Sequence, residues 1–156
     1  MTSLSLGDSV YTPLKTYLTK HAKAHQRASL ARSYVAVDEL ARIKAYITII
    51  CGEIEVQVDH EGEDVRYDYM KYPAVKIARL AVDRRVRGNK LGEALVDLAI
   101  AVTRDIVCPY VGCRFIVVDS KQQSVEFYRK CGFTLLETPE NRDREEPIMF
   151  IDLYRT

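Results

Sequence analysis

The chain has 156 residues, 47% of them hydrophobic and 29% charged, with a formal net charge of +1. That length supports one domain with a full core, and the composition is that of an ordinary globular protein. The near-zero balance names no partner. No stretch approaches the length of a membrane span, and the opening MTSLSLGDSVYTP lacks the basic region and apolar run of a signal peptide.

In chain order, Thr12-Pro13 reads as an N-cap followed by proline at the first helical position. Leu14, Tyr17, Leu18 and Ala22 then share one helical face, so a helix is predicted to near Ala28. RSYVAV, residues 32–37, reads as a strand. Ile43, Ala45, Ile47, Ile49 and Cys51 alternate with Lys44, Tyr46, Thr48 and Ile50, which predicts a long strand with one apolar face. Gly52 is expected to break it before a further strand at 54–58, and residues 59–68 read as an acidic loop. VKIARLAV, residues 75–82, is the next strand.

Leu91, Leu95, Leu98, Val102 and Ile106 step by helical intervals until Pro109 stops the run. RFIVVD, residues 114–119, reads as a buried strand. Ser120 and Gln123 resemble a capping box opening a short helix that runs to about Cys131 and is closed by Gly132. Strands at 133–136 and 148–153 flank a polar loop at 137–147. The order predicts an α/β (α+β) domain, a mixed and mostly antiparallel sheet flanked by helices. No repeat or linker interrupts it, so one domain over residues 1–156 is expected.

The cysteines Cys51, Cys108, Cys113 and Cys131 form no CxxC pair and read as reduced thiols of a cytoplasmic protein. Cys51 and Cys131 sit in apolar patterns and are expected in the core. His21 and His25 are four apart on a helix, but no third ligand accompanies them, so they read as exposed polar residues rather than a metal pair.

Charge is unevenly spread. Residues 9–37 carry Lys15, Lys20, Lys23, Arg27 and Arg32 and no acid, whereas residues 53–68 carry seven acids against Arg66. Such asymmetry marks either a solvated surface or a face for an oppositely charged partner.

The stretch RRVRGNKLGEAL, residues 84–95, lies between a strand and a strong helix. The first amides of a helix lack internal partners and, with the helix dipole, favour an anion. Gly88 and Gly92 permit close backbone approach, and Arg84, Arg85, Arg87 and Lys90 supply charge suited to a pyrophosphate. Alone, the turn is equally a basic helix start with no ligand. Its spacing is neither GxxxxGK[ST] nor GxGxxG after a first strand, which argues against a P-loop or a dinucleotide fold.

ARLAVDRRVRGNKLGEALVDLAI followed by SVEFYRKCGF resembles the GNAT N-acetyltransferase superfamily. The resemblance covers most of the chain and joins two ordered motifs. It implies a GNAT fold and acetyl-CoA as cosubstrate, with the pyrophosphate held at Arg87, Gly88, Asn89, Lys90, Leu91 and Gly92. Lys90 departs from the usual glycine. A helical, unstrained φ is expected there, since a left-handed residue would cost about 1–2 kcal/mol. The resemblance further implies pantetheine pairing with the main chain of Leu80, Ala81 and Val82, cofactor contact at Ser124, and protonation of the leaving thiolate by Tyr128. A phenol stays protonated at neutral pH and donates to a basic thiolate. Read from composition alone, Tyr128 is a core aromatic beside Phe127. No acid lies on the strand at 75–82 to act as general base.

LKTYLTKHAKAHQRASLARSYVAVDE narrows the resemblance to GNAT toxins that acetylate aminoacyl-tRNA. It implies tRNA contact through Lys15, Lys20, Lys23, Arg27 and Arg32 and a ribbon-helix-helix antitoxin as partner, and leaves a homodimer open. The competing acceptor is a polyamine-like or protein lysine amine drawn to the acidic stretch. The competing class is a degenerate GNAT fold that binds CoA or a protein without catalysis.

Overall fold

The computed structural model describes residues 4–56 and 71–155, and the acidic stretch at 59–68 lies outside them. Asp8 accepts the N–H of Val10 and opens a 3-10 turn, Ser9–Tyr11, which runs straight into helix α1, Thr12–Lys20. Thr12 is therefore already helical rather than a cap. Pro13 falls in the first turn, where its missing N–H is not needed. His21, at φ −121° and ψ −30°, interrupts the expected single helix and separates α1 from α2, Ala22–Arg27.

Strand β1, Arg32–Val37, pairs antiparallel with β2, Ile43–Ile54, from Arg32↔Ile49 to Val37↔Ile43, with a register shift between Ala36 and Val37. Asp38 organises the turn between them by accepting the N–H groups of Leu40 and Arg42. Gly52 does not break β2. A Cβ at Gly52 would stand 3.4 Å from that of Lys76, so this glycine marks close approach of a neighbouring chain segment. Residues 45–49 of β2 are buried on both faces, against the expectation of a single apolar face, and Cys51 is exposed rather than in the core.

β3, Tyr72–Val82, is longer than expected and leads into α3, Leu91–Val102. Residues Thr103–Val107 widen into a π turn, closed by Cys108 N–H donating to Thr103 C=O. Leu98 is already 38% exposed within α3, and Ile106, in the π turn, is 60% exposed, so the leucine row is not the buried face. The buried side is instead Gly92, Leu95, Val96, Ala99 and Thr103.

β4, Phe115–Asp119, is followed by α4, Val125–Lys130. The expected capping box is absent: Ser120 is buried with its hydroxyl on Lys121 C=O, and a 3-10 turn, Gln122–Ser124, leads into the helix. Cys131 is only partly buried. β5 is two residues, Thr134–Leu135. The polar loop after it holds a short helix α5, Pro139–Arg142, capped by Thr138. Asn141, 3% exposed, donates to Leu136 C=O and Ile148 C=O and accepts from Ile148 N–H, fixing the start of β6, Ile148–Asp152.

The six strands form one sheet in the order β1-β2-β3-β4-β6-β5, and β6 pairs antiparallel with both β4 and β5. This is the expected mixed sheet with flanking helices. The chain divides into two compact units, Met1–Ile50 with Ile77–Val102, and Cys51–Lys76 with Thr103–Thr156. The first has a core of Leu4, Leu6, Tyr17, Ala22, Tyr46 and Ala81. The second is centred on Ile54, Tyr72, Ala74, Phe115 and Val117.

Candidate functional site

The chain leaves β3 at Asp83, whose side chain is fully buried. Its Oδ1 accepts from Arg85 Nε and Arg85 N–H, both at 2.9 Å. Its Oδ2 accepts from Arg85 Nη2 at 2.6 Å and Ser5 N–H at 3.1 Å. The Arg85 side chain, and then these backbone donors, hold the Asp83 carboxyl well below the usual carboxylate range, against the opposing effect of burial. The charge thus locks a 3-10 turn, Arg84–Val86, that aims the following loop. Asp83 was not singled out from the sequence, although it is the last residue of the RLAVD motif.

Beyond this turn Gly88 has φ +92° and Lys90 φ +58°. The expectation of a helical φ at Lys90 is overturned. The position is left-handed, which explains why glycine is usual there and assigns this lysine a cost of about 1–2 kcal/mol. Lys90 C=O accepts the N–H of Ala94 at 3.0 Å, so this strained residue also caps α3. Among the described residues, the N–H groups of Gly88, Lys90, Leu91 and Gly92 have no backbone acceptor. Four donors without backbone acceptors at and just before a helix start are suited to an anion.

The cations divide into two sets. Arg85 is committed to Asp83. Arg87 donates to Leu6 C=O at 2.8 Å and lies 5.5 Å from the Tyr11 ring, so its side chain braces the loop from behind. Arg84 and Lys90 are exposed and have no acidic partner among the described residues. On the preceding strand Ala81 is buried, while Leu80 and Val82 are half-buried. Leu80 through Gly92 therefore all lie within the first unit.

Ser124 and Tyr128 lie in the second unit. Ser124 immediately precedes α4, and its hydroxyl makes no capping hydrogen bond. Tyr128 is 6% exposed, and its ring meets Phe127 and Phe133 edge-on at 5.1 and 5.5 Å between centroids. Burial, with a smaller contribution from Cys131, pushes the phenol further up from its ordinary value. Its hydroxyl has no hydrogen-bond partner among the described residues. A buried donor without a partner is uncommon in a purely structural role. The arrangement keeps a protonated phenol held in place across the whole neutral range.

The charged residues of β3 are engaged: Lys76 Nζ lies 2.6 Å from Asp119 Oδ2, and the Arg79 guanidinium lies 3.6 Å from the Tyr17 ring centroid. No carboxylate stands on β3. Lys15, Lys20, Lys23, Arg27 and Arg32 are all exposed and have no acidic partner among the described residues. His25 Nδ1 meets Tyr17 Oη at 3.2 Å, and the His21 ring packs beside both. Among the described residues no group of three His, Cys, Asp or Glu could hold a metal ion. Of the acidic stretch, Glu53 and Glu55 are described, and both face Lys71 at 3.5 and 3.9 Å.

A family model described as the acetyltransferase (GNAT) family matches residues 12–133. Among solved structures, AtaT complexed with acetyl-methionyl-tRNAfMet is 22% identical, with a TM-score of 0.81 over 97% of this chain and 86% of its own. A tyrosine-to-phenylalanine mutant of KacT is 24% identical, with a TM-score of 0.80 over 99% of this chain and 88% of its own. The KacTA–DNA complex is 25% identical, with a TM-score of 0.74 over 99% of this chain and 86% of that one.

Proposed function

The chain belongs to the GNAT acetyltransferase family, and from that membership we propose that it transfers the acetyl group of acetyl-CoA directly to the α-amine of an aminoacyl-tRNA. The observation that carries the acetyl-CoA part is the row of unpaired N–H groups at Gly88, Lys90, Leu91 and Gly92. They fit a pyrophosphate, with Arg84 and Lys90 as the uncommitted cations. The main chain of Leu80, Ala81 and Val82 would hold the pantetheine arm and polarise the thioester carbonyl, and Ser124 would contact the arm. Arg87 and Asn89 contribute as the frame of the loop, Arg87 through its bond to Leu6.

Acetyl-CoA supplies the activated acyl group. Tyr128 donates its phenolic proton to the departing thiolate. Its buried, unionised hydroxyl is always in the donating form, and ordinary general-acid assistance is worth about 10²–10⁴ in rate. The lack of a carboxylate on β3 favours an acceptor that needs no protein base. The amine of an aminoacyl ester is less basic than a lysine, so more of it is neutral at pH 7.

The acid-free surface of Lys15, Lys20, Lys23, Arg27 and Arg32 supports contact with tRNA phosphates. The likeness to AtaT, solved with an acetylated initiator tRNA, points the same way. A tyrosine-to-phenylalanine mutant of AtaT has also been solved with the C-terminus of the antitoxin AtaR and acetyl-CoA. A ribbon-helix-helix antitoxin is accordingly the proposed protein partner, and the protein a toxin acting in the cytoplasm.

Acetyl-CoA-dependent arrest of a cell-free translation mixture, lost in Tyr128→Phe, tests the reading. Thiol release on a panel of free amines separates it from a polyamine or lysine acetyltransferase. Absence of acetyl-CoA and CoA binding at micromolar levels in calorimetry would overturn the enzyme reading.

A further inference from the structure

β1 is the terminal strand of the sheet, and among the described residues nothing pairs with its outer side. The direction of its backbone groups can be worked out. Ser33 N–H donates to Gln26 Oε1 at 3.2 Å, not to β2. Ser33 and Thr48, its partner in register, bring their hydroxyls within 2.7 Å, as expected of a pair that exchanges no backbone bonds. By the two-residue repeat, Val35 also presents its N–H and C=O outward. The edge is thus open, with one donor covered by a side chain that can be displaced.

A cavity of about 540 Å³ opens against this edge. Leu18, Ala22, Val35 and Ile43 give it an aliphatic floor, and Lys23, Arg27 and Arg32 stand on its rim without acidic partners among the described residues. Val35 is 46% exposed, and Leu30 and Val37 nearby are 64% and 55% exposed. Open edges are normally covered or charged against pairing, because they template further strands. Here the charges are gathered on one side and have a single sign.

We propose that the free edge of β1 docks an extended acidic segment of a partner protein. The segment adds as a strand beside Ser33 and Val35, seats an aliphatic side chain on the cavity floor, and places carboxylates on Lys23, Arg27 and Arg32. The floor carries no aromatic ring, so it offers no stacking platform for a nucleobase. Pairing with a second copy of β1 would bring two like sets of cations together, and charge complementarity selects an acidic partner instead. Lys23, Arg27 and Arg32 are also among the cations proposed for tRNA, so the segment would compete with tRNA there, while the strand-edge contacts at Ser33 and Val35 are tested without acetyl-CoA or tRNA.

The test is an NMR titration of the isotope-labelled full chain with a synthetic peptide of about eight residues alternating valine and glutamate. A valine–lysine peptide and octauridylate are the comparisons. The Ser33 and Val35 amides are expected to shift and become protected from exchange with the acidic peptide alone. Val35→Pro removes an outward N–H and leaves the β1–β2 ladder intact, so it should weaken the peptide at least about tenfold and leave acetyl transfer unchanged. If that variant unfolds, Val35→Glu, which sets a repelling charge on the floor, should give the same loss. Peptide shifts confined to lysine and arginine side chains, unchanged affinity in both variants, or no binding at millimolar peptide would each overturn the proposal. Octauridylate shifting the same edge amides more strongly would overturn it in favour of RNA.

Discussion

Lys90→Gly is expected to make the protein more stable even though it removes a side chain and a charge. The residue sits at φ +58°, where a non-glycine residue costs about 1–2 kcal/mol. Glycine relieves that strain but gives the unfolded chain more freedom, which offsets about 0.4–1 kcal/mol. The net gain is about 0.5–1 kcal/mol, or roughly 1–4 °C in Tm for a chain of this size. Lys90→Ala keeps the strained backbone while losing the same charge, so it should gain nothing. Urea denaturation of the three proteins at constant m-value measures the difference. Equal midpoints for the glycine and alanine variants, or a lower one for glycine, would refute the left-handed assignment and the argument built on it. Affinity for CoA gives an independent readout. Glycine leaves the amide directions unchanged, so a loss of about threefold to tenfold in Lys90→Gly, restored in Lys90→Arg, would measure the charge alone.

Tyr128→Phe keeps the edge-on contacts with Phe127 and Phe133. It should lower kcat for acetyl transfer by about 10²–10⁴ while leaving acetyl-CoA affinity and Tm nearly unchanged, as steady-state kinetics and calorimetry would show. Asn141→Ala strips partners from Leu136 C=O, Ile148 C=O and Ile148 N–H. It should cost about 2–3 kcal/mol in denaturant unfolding. Burial raises the phenol pKa of both Tyr46 and Tyr128. The folded state therefore keeps protons that the unfolded chain releases above pH about 10, and stability should fall as pH rises past that point. A Tyr46→Phe, Tyr128→Phe double variant should flatten that fall when unfolding is followed from pH 8 to 11.

The local patterns that were legible were those decided within a few residues. RSYVAV read as a strand with the observed bounds of β1, and the run RFIVVD placed β4 within one residue. The glycines and cations of residues 84–92 located the turn at the head of α3, where the unpaired amides are found. Where the reading failed, a neighbouring segment or a local irregularity had decided the outcome. Gly52 looked like a strand breaker and proved to be a close approach to Lys76. Cys51 and Ile106 followed apolar patterns into expected core positions, yet both are exposed. Cys51 lies in the exposed stretch 51–53 of β2, and Ile106 lies in a π turn that departs from the α-helical repeat.

The candidate site divides along the same line. Its residue types and their order were written in RLAVD, RGNKLG and EFYRKCGF, because amide donors at a helix start and a tyrosine one turn into a helix are local features. The allocation of charge was not. Arg85 and Arg87 looked interchangeable with Arg84 and Lys90 until tertiary contacts committed them, Arg85 to a buried Asp83 that also holds Ser5, and Arg87 to Leu6, 81 residues away in sequence. The left-handed turn at Lys90 was likewise not legible, since the sequence carries a lysine where a glycine would have marked it. Sequence alone determined which groups the loop could offer to an anion. Tertiary structure decided which remain free to do so, since a cation's availability depends on which acids and carbonyls the fold brings beside it.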